Sequence, residues 1–179
     1  MPLVDIQDLH VSFPQYEGLV QAVRGVTFHV SAGECLGIVG ESGSGKSVTC
    51  LAILRQLREP PATITAKRLE LAGEDMLSAD RRKLASMRGK VAAMVFQDPM
   101  TAFDPVFTIG HQIIETIQAH RDVANAEAKT EAASLLARVE IKNPTAVLES
   151  YPHQLSGGML QRAMIAMALS CRPQILFAD

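Results

Sequence analysis

Cys35-Leu36-Gly37-Ile38-Val39 runs directly into Gly40-Glu41-Ser42-Gly43-Ser44-Gly45-Lys46-Ser47, and this junction decides the fold. The first five residues are a short, mostly apolar run that ends in a glycine loop, the pattern of a strand buried on both faces. The next eight fit GxxxxGK[ST]. From Ser47 to Leu57 the chain carries Leu51, Ile53, Leu54 and Leu57 without Gly or Pro, which predicts a helix ended by Glu59-Pro60-Pro61. Strand, glycine loop and helix in that order are the setting in which this motif holds a phosphate chain. Glycines let the loop wrap the phosphates with backbone N–H groups, and the helix N-terminus adds positive potential. Lys46 then reaches the β- and γ-phosphates and the Ser47 hydroxyl binds Mg²⁺. A glycine-rich turn that only caps a helix is the plainer alternative, and Lys46 and Ser47 in this context weigh against it.

Upstream, Val26, Phe28 and Val30 alternate with Thr27 and His29 as in a half-buried strand, and Ser31-Ala32-Gly33-Glu34 forms a turn. Downstream, Lys67 to Leu71 reads as a strand, and Ser78 is placed to cap a short charged helix through Met87. Val91 to Phe96 reads as a second buried strand. Ile109, Ile113, Ile114 and Ile117 share one helical face after Thr108, and Ala132, Leu135, Leu136 and Val139 point inward from a helix over Ala126 to Val139. Another helix is expected from about Gly158 to Ser170, and Gln174 to Ala178 as a final buried strand. Strands at both ends with helices between them imply an α/β core carrying a helical lobe.

Bulk composition narrows the function classes. The 179 residues are about one domain's worth. Seventeen Lys and Arg against nineteen Asp and Glu, with no Trp, leave neither a global basic surface nor a base-stacking one, so no nucleic-acid partner is expected. Cys35, Cys50 and Cys171 are an odd set without CxxC spacing and read as buried small hydrophobes in a reducing compartment. Asp5 and Asp8 stand where a secretory signal would need basic residues, and no apolar run approaches the roughly 20 residues that span a bilayer. The five histidines show no metal-ligand spacing.

A second glycine motif, Leu155-Ser156-Gly157-Gly158-Met159-Leu160-Gln161-Arg162, opens the helix near Gly158. A serine and two glycines at a helix start make a second anion site from a hydroxyl, N–H groups and the helix dipole. One chain has little use for two such sites on one nucleotide. The stretch resembles the LSGGQ signature of ABC ATPases, with Met159 where Gln is commonest. Membership implies a P-loop NTPase core of the ABC ATPase type with a helical subdomain over about 100–165, all within a single domain over 1–179 that is truncated at the C-terminus. It also implies ATP and Mg²⁺ as ligands. By the same resemblance the signature, Ser156, Gly157 and Gly158, of one protomer closes on the γ-phosphate held by Gly40, Glu41, Ser42, Gly43, Ser44, Gly45, Lys46 and Ser47 of a second ATPase subunit.

Further residues follow the family's order. Gln97, before Asp98-Pro99, matches the glutamine that touches Mg²⁺ or the attacking water and links core to lobe. Asp179 ends Gln174-Ile175-Leu176-Phe177-Ala178-Asp179 and matches the aspartate that orients Mg²⁺. Phe13 in Leu9-His10-Val11-Ser12-Phe13 resembles the aromatic that stacks on adenine, with Tyr16 near enough to compete. Ser47, Gln97 and Asp179 are thus the metal set, and Lys46, Gln97 and Asp179 the catalytic one.

Three stretches resemble the ATP-binding subunits of oligopeptide, dipeptide and nickel importers: Gly37 to Ser47, Val95 to Pro105 and Tyr151 to Met159. That branch implies ATP hydrolysis coupled to peptide import, integral membrane permease subunits, a binding protein acting indirectly, and a peripheral place on the cytoplasmic face of the inner membrane. A non-transport ABC ATPase would share both phosphate motifs, but the 110 positions between Lys46 and Ser156 leave room only for a compact helical lobe. The family's catalytic glutamate and switch histidine follow Asp179, so a nucleotide-binding fragment without turnover is the other expectation for the chain as it stands.

Overall fold

A computed structural model describes residues 2–16 and 18–179, and the chain divides into two compact units between Ala85 and Ser86. In the first, β1 (Val4–Gln15) and β2 (Gly18–Val30) form a long antiparallel hairpin. The other edge of β1 pairs with β3 (Thr63–Thr65) and β4 (Arg68–Leu71), and β5 (Glu74–Asp75) extends β4. Val4, Ile6, Leu9 and Val11 of β1 are buried, with Leu69 and Leu71 of β4. β4 falls within the strand expected over Lys67 to Leu71, but the sequence pattern assigns no strand over β1, and the ladder shows why. Asp8 sits at φ 55 and the register slips between Ile6 and Leu9, so the inward positions change phase at the bulge and strict alternation fails. Two further slips follow. At the last, Val11 opposes Val23 and Ser12 opposes Gln21, which leaves Ala22 as an extra residue on β2.

Val26, Phe28 and Val30 are half-buried and Thr27 and His29 exposed, as the alternation requires. The turn after β2 is closed by the Glu34 amide on the Ser31 carbonyl at 3.1 Å and by the Ser31 amide on the Glu34 carboxylate at 2.8 Å. Cys35 to Val39 corrects the expectation: the segment is in no strand and is exposed, Val39 almost fully, and Cys35 is exposed with it. A buried strand needs ladder partners, and among the described residues none pairs with this run; apolar composition cannot supply them.

α1 (Lys46–Ile53) is shorter than expected. Arg55 takes φ 51 and its amide reaches the Ala52 carbonyl, while the Gln56 amide reaches Leu51. That is a left-handed helix stop without its usual glycine. The Arg55 side chain holds it, bonding the Met76 and Leu77 carbonyls and pairing with Glu59. α2 (Arg81–Met87) is capped by Asp80, which accepts from the Lys83 amide at 2.7 Å. Ser78 instead donates its hydroxyl to the Asp75 carboxylate at 2.7 Å, a charge-assisted bond, while Asp75 also accepts from the Leu77 amide.

The second unit pairs β6 (Ala92–Val95) in parallel with β7 (Ile175–Ala178). β6 is buried throughout, whereas β7 is half-buried and exposed in alternation, with Leu176 44% exposed, and is not the fully buried strand expected. Parallel strands are buried on both faces only where helices cover both. α3 (Ile109–His120), α4 (Asn125–Arg138), α5 (Pro144–Leu148) and α6 (Gly157–Leu169) build the lobe. Ile109, Ile113, Ile117, Ala128, Ala132, Leu136, Leu160 and Met164 fill its core, each large side chain worth about 1.5–3 kcal/mol of burial. α3 crosses α5 so closely that a β-carbon at Gly110 would lie 2.6 Å from the Leu148 carbonyl oxygen.

Candidate functional site: two glycine loops at helix starts

In the first unit the loop from Gly40 folds around the Lys46 ammonium. Nζ donates to the carbonyls of Gly40 and Glu41, both at 2.8 Å, with the Ser44 hydroxyl farther off at 3.5 Å. A turn from the Glu41 carbonyl to the Ser44 amide tightens the loop, and Glu41 to Ser44 stand exposed at its crest. Gly45 is the N-cap of α1 at φ 92, a backbone state that side-chained residues avoid. It also sits against β2, where a β-carbon would run into the Ala22 carbonyl. α1 therefore starts with no side-chain cap and no acidic residue in its first turn. Uncancelled, its positive end suits an anion. Thr49, buried, ties the loop's last carbonyl down by donating its hydroxyl to Gly45 at 2.8 Å. Sequence reasoning passes over Ala22 and Thr49, because neither a bulge register nor a helix-to-loop tether has a composition signal.

Phe13 is half-buried in β1 opposite Val20, two positions beyond Val11 and so on the same face. That face carries Val11 and its partner Val23, whose methyl lies 3.7 Å from the β-carbon position of Gly45. Phe13 thus stands one step outward on the sheet face that the glycine loop touches. Tyr16 lies past the ladder, wholly exposed.

In the second unit Gln97 and Asp179 come to one edge. Val95 is in register with Ala178 across the parallel pair, and the Asp179 amide donates to the Val95 carbonyl at 3.0 Å. Both residues are exposed just beyond the carboxyl ends of their strands. Such edges are where open α/β sheets receive ligands. Asp98 turns the chain away by accepting from the Met100 amide at 2.9 Å, leaving Gln97 at the strand tip.

The other glycine loop starts α6. Ser156 caps it, its hydroxyl accepting from the Met159 amide at 3.3 Å. Gly157 and Gly158 are exposed, have no positive φ, and a β-carbon at either would meet nothing within 4 Å among the described residues. Neither the backbone nor the packing around them asks for glycine there. Beside them opens a groove of about 600 Å³ lined by Ile141, Val147, Leu155, Met159 and Arg162, so the helix start sits at the lip of a concave surface.

The profile of the ABC transporter family matches residues 23–179, from the second strand through both glycine loops to Asp179. The chain belongs to this family. It is 49% identical over 99% of its length to a Sinorhizobium fredii protein named "Probable peptide ABC transporter ATP-binding protein y4tR", covering 53% of that protein. It is 44% identical, again over 99%, to the oligopeptide transport ATP-binding protein OppD of Bacillus subtilis, covering 49% of it. The chain spans about half the length of the curated relatives it matches. Among solved structures, the dimeric post-hydrolysis state of the ATP-binding cassette MJ0796 with ADP and Pi superposes over 98% of this chain and 73% of that one, with TM-score 0.82 and 25% identity.

Proposed function

We propose that the protein containing this chain binds and hydrolyses ATP to drive import of peptides through a membrane permease. The observation that carries the reading is the Lys46 ammonium enclosed by the carbonyls of Gly40 and Glu41 at the uncapped start of α1. A phosphate chain entering this loop meets the ammonium, the loop's N–H groups and the helix dipole together. Hydrolysis then transfers the γ-phosphoryl to water, breaking its bond to the ADP oxygen, and the chain's part is to position and stabilise charge.

Mg²⁺ fits the residues present. Within the second unit the Asp179 carboxylate and the Gln97 amide oxygen offer sparse, hard oxygen donors, suited to an ion that keeps waters and substrate phosphates in its shell, and within the first the Ser47 hydroxyl is a donor of the same kind. When bound, the ion neutralises charge on the β- and γ-phosphates. Gln97 and Asp179 share a strand edge, which supports their acting on one ligand.

Gly157 and Gly158 support a paired assembly. Glycine in a helix costs stability, up to about 1 kcal/mol against alanine in the interior and less in the first turn, and no contact among the described residues requires it. A second ATPase subunit bringing its nucleotide onto this backbone gives the glycines a use, and the dimeric MJ0796 cassette supports such a pairing. Among the described residues no helix is long and apolar enough to cross a membrane. A separate permease subunit in this reading rests on the relatives being named ATP-binding proteins of transporters. Peptide as cargo rests on the names of the relatives. The test is uptake of a labelled tripeptide by cells carrying the intact gene product: Lys46→Ala at equal expression should stop uptake, and uptake at the wild-type rate would overturn the reading.

A further inference from the structure

We infer that Gln112 is a positioning residue for the permease contact: its side-chain amide holds residues 104–107 in a closed turn that presents Val106 and Phe107 to an apolar, Lys- or Arg-flanked cytoplasmic loop of the membrane partner. The inference deepens the transport reading above and rests on it. All of its observations lie in the second unit. Met100, Val106 and Phe107 are 50%, 68% and 45% exposed, so three large apolar side chains face solvent within eight residues of the chain. Between them, buried Phe103 pins the stretch to the core of the lobe. An exposed apolar cluster of this kind marks a contact surface.

The turn that carries Val106 is held by a side chain more than by its own backbone. Its closing bond, from the Phe107 amide to the Asp104 carbonyl, is stretched to 3.4 Å. Gln112, in the first turn of α3, supplies the rest. Its Oε1 accepts from the Asp104 amide at 2.8 Å, and its Nε2 donates to the Asp104 and Phe107 carbonyls, both at 3.0 Å. The Asp104 carboxylate accepts from the Val106 amide at 3.1 Å, and the Phe107 ring stacks on His111 with centroids 4.8 Å apart. A surface held in one shape beforehand loses less conformational freedom when a partner binds. Charge gives the chemistry of that partner. From Val91 to His120 the chain carries Asp98, Asp104 and Glu115, all exposed, and no Lys or Arg. Cytoplasmic loops of membrane proteins are enriched in Lys and Arg, which complements an apolar point set between Asp98 and Asp104.

The experiment compares the intact gene product with Gln112→Met, which keeps the side chain's length and removes its bonds, with Val106→Asp, and with Asp104→Asn, whose Oδ1 still accepts from the Val106 amide. Basal ATP hydrolysis by each purified protein is measured beside uptake of a labelled tripeptide by cells holding it at equal expression. Gln112→Met and Val106→Asp should hydrolyse ATP with wild-type kcat and KM, while uptake falls at least about tenfold, the scale of re-ordering a freed loop on binding. Asp104→Asn should lower uptake less, again with hydrolysis kept. Should Gln112→Met not fold by circular dichroism, Gln112→Glu is read in its place, since it keeps the bond from the Asp104 amide and loses those to the carbonyls. Wild-type uptake in the Gln112 variant overturns its role, and so does hydrolysis that falls in step with uptake, which would make Gln112 a support of the fold. Wild-type uptake in Val106→Asp overturns the surface, and in Asp104→Asn the basic partner. No tripeptide uptake by the wild type would instead overturn the transport reading on which all of this rests.

Discussion

The Ser156 hydroxyl accepts a hydrogen bond from the Met159 amide at 3.3 Å, and between these two residues lie glycines that no contact among the described residues requires. Two roles are therefore separable at the start of α6. Ser156→Ala removes a helix cap and should cost about 1 kcal/mol of stability, read from denaturant unfolding.

Gly157→Ala should act oppositely on stability and function. A β-carbon there meets nothing within 4 Å and the residue is helical, so folding should be unchanged or up to about 1 kcal/mol more favourable. ATP hydrolysis by the assembled transporter should fall at least about tenfold, because the added methyl blocks close backbone approach of a partner's nucleotide. Unchanged hydrolysis would show that no nucleotide approaches the backbone at this glycine.

Gly110→Ala is the packing counterpart. The Leu148 carbonyl occupies the space a β-carbon would need, so α3 and α5 must part and the lobe should lose about 1–3 kcal/mol. Thermal unfolding checks it, and a neutral result would mean that α5 yields freely.

Much of this was legible in the sequence, for reasons that differ by element. Ile109, Ile113 and Ile117 announce α3 because helical periodicity and burial coincide, and Thr108 caps it as its residue type suggests. The loop around Lys46 and the helix start at Ser156 are legible because each is built by local spacing. Cys35 to Val39 fails because burial of a strand depends on neighbours elsewhere in the chain, and β1 is missed because the bulge at Asp8 shifts its inward phase. The end of α1 is hidden for a similar reason: Arg55 adopts a glycine-like conformation that contacts with Met76 and Leu77, distant in sequence, hold in place. Convergence of Gln97 and Asp179 follows from a parallel register that no single stretch encodes.

Asp8 gives a pH signature to the β1 bulge. The Lys67 ammonium, at 3.1 Å, and then His10, at 3.0 Å, hold its carboxyl below the ordinary 3.8. A lowered folded-state value means that its stabilising effect is present above about 3.8 and is lost as pH falls through the lowered value. Asp8→Asn should therefore lower the melting temperature near neutral pH, with a difference that shrinks toward zero in strong acid. A difference constant with pH would assign the effect to backbone geometry at the bulge.

Titration with Mg-ATP of the wild-type protein and of Lys46→Ala tests the central claim most directly. The ammonium that now bonds the Gly40 and Glu41 carbonyls is the cation assigned to the β- and γ-phosphates. Its loss should weaken binding by at least about tenfold, in line with charge-assisted bonds of about 1.5–3 kcal/mol. Equal affinities in the two proteins would contradict that assignment.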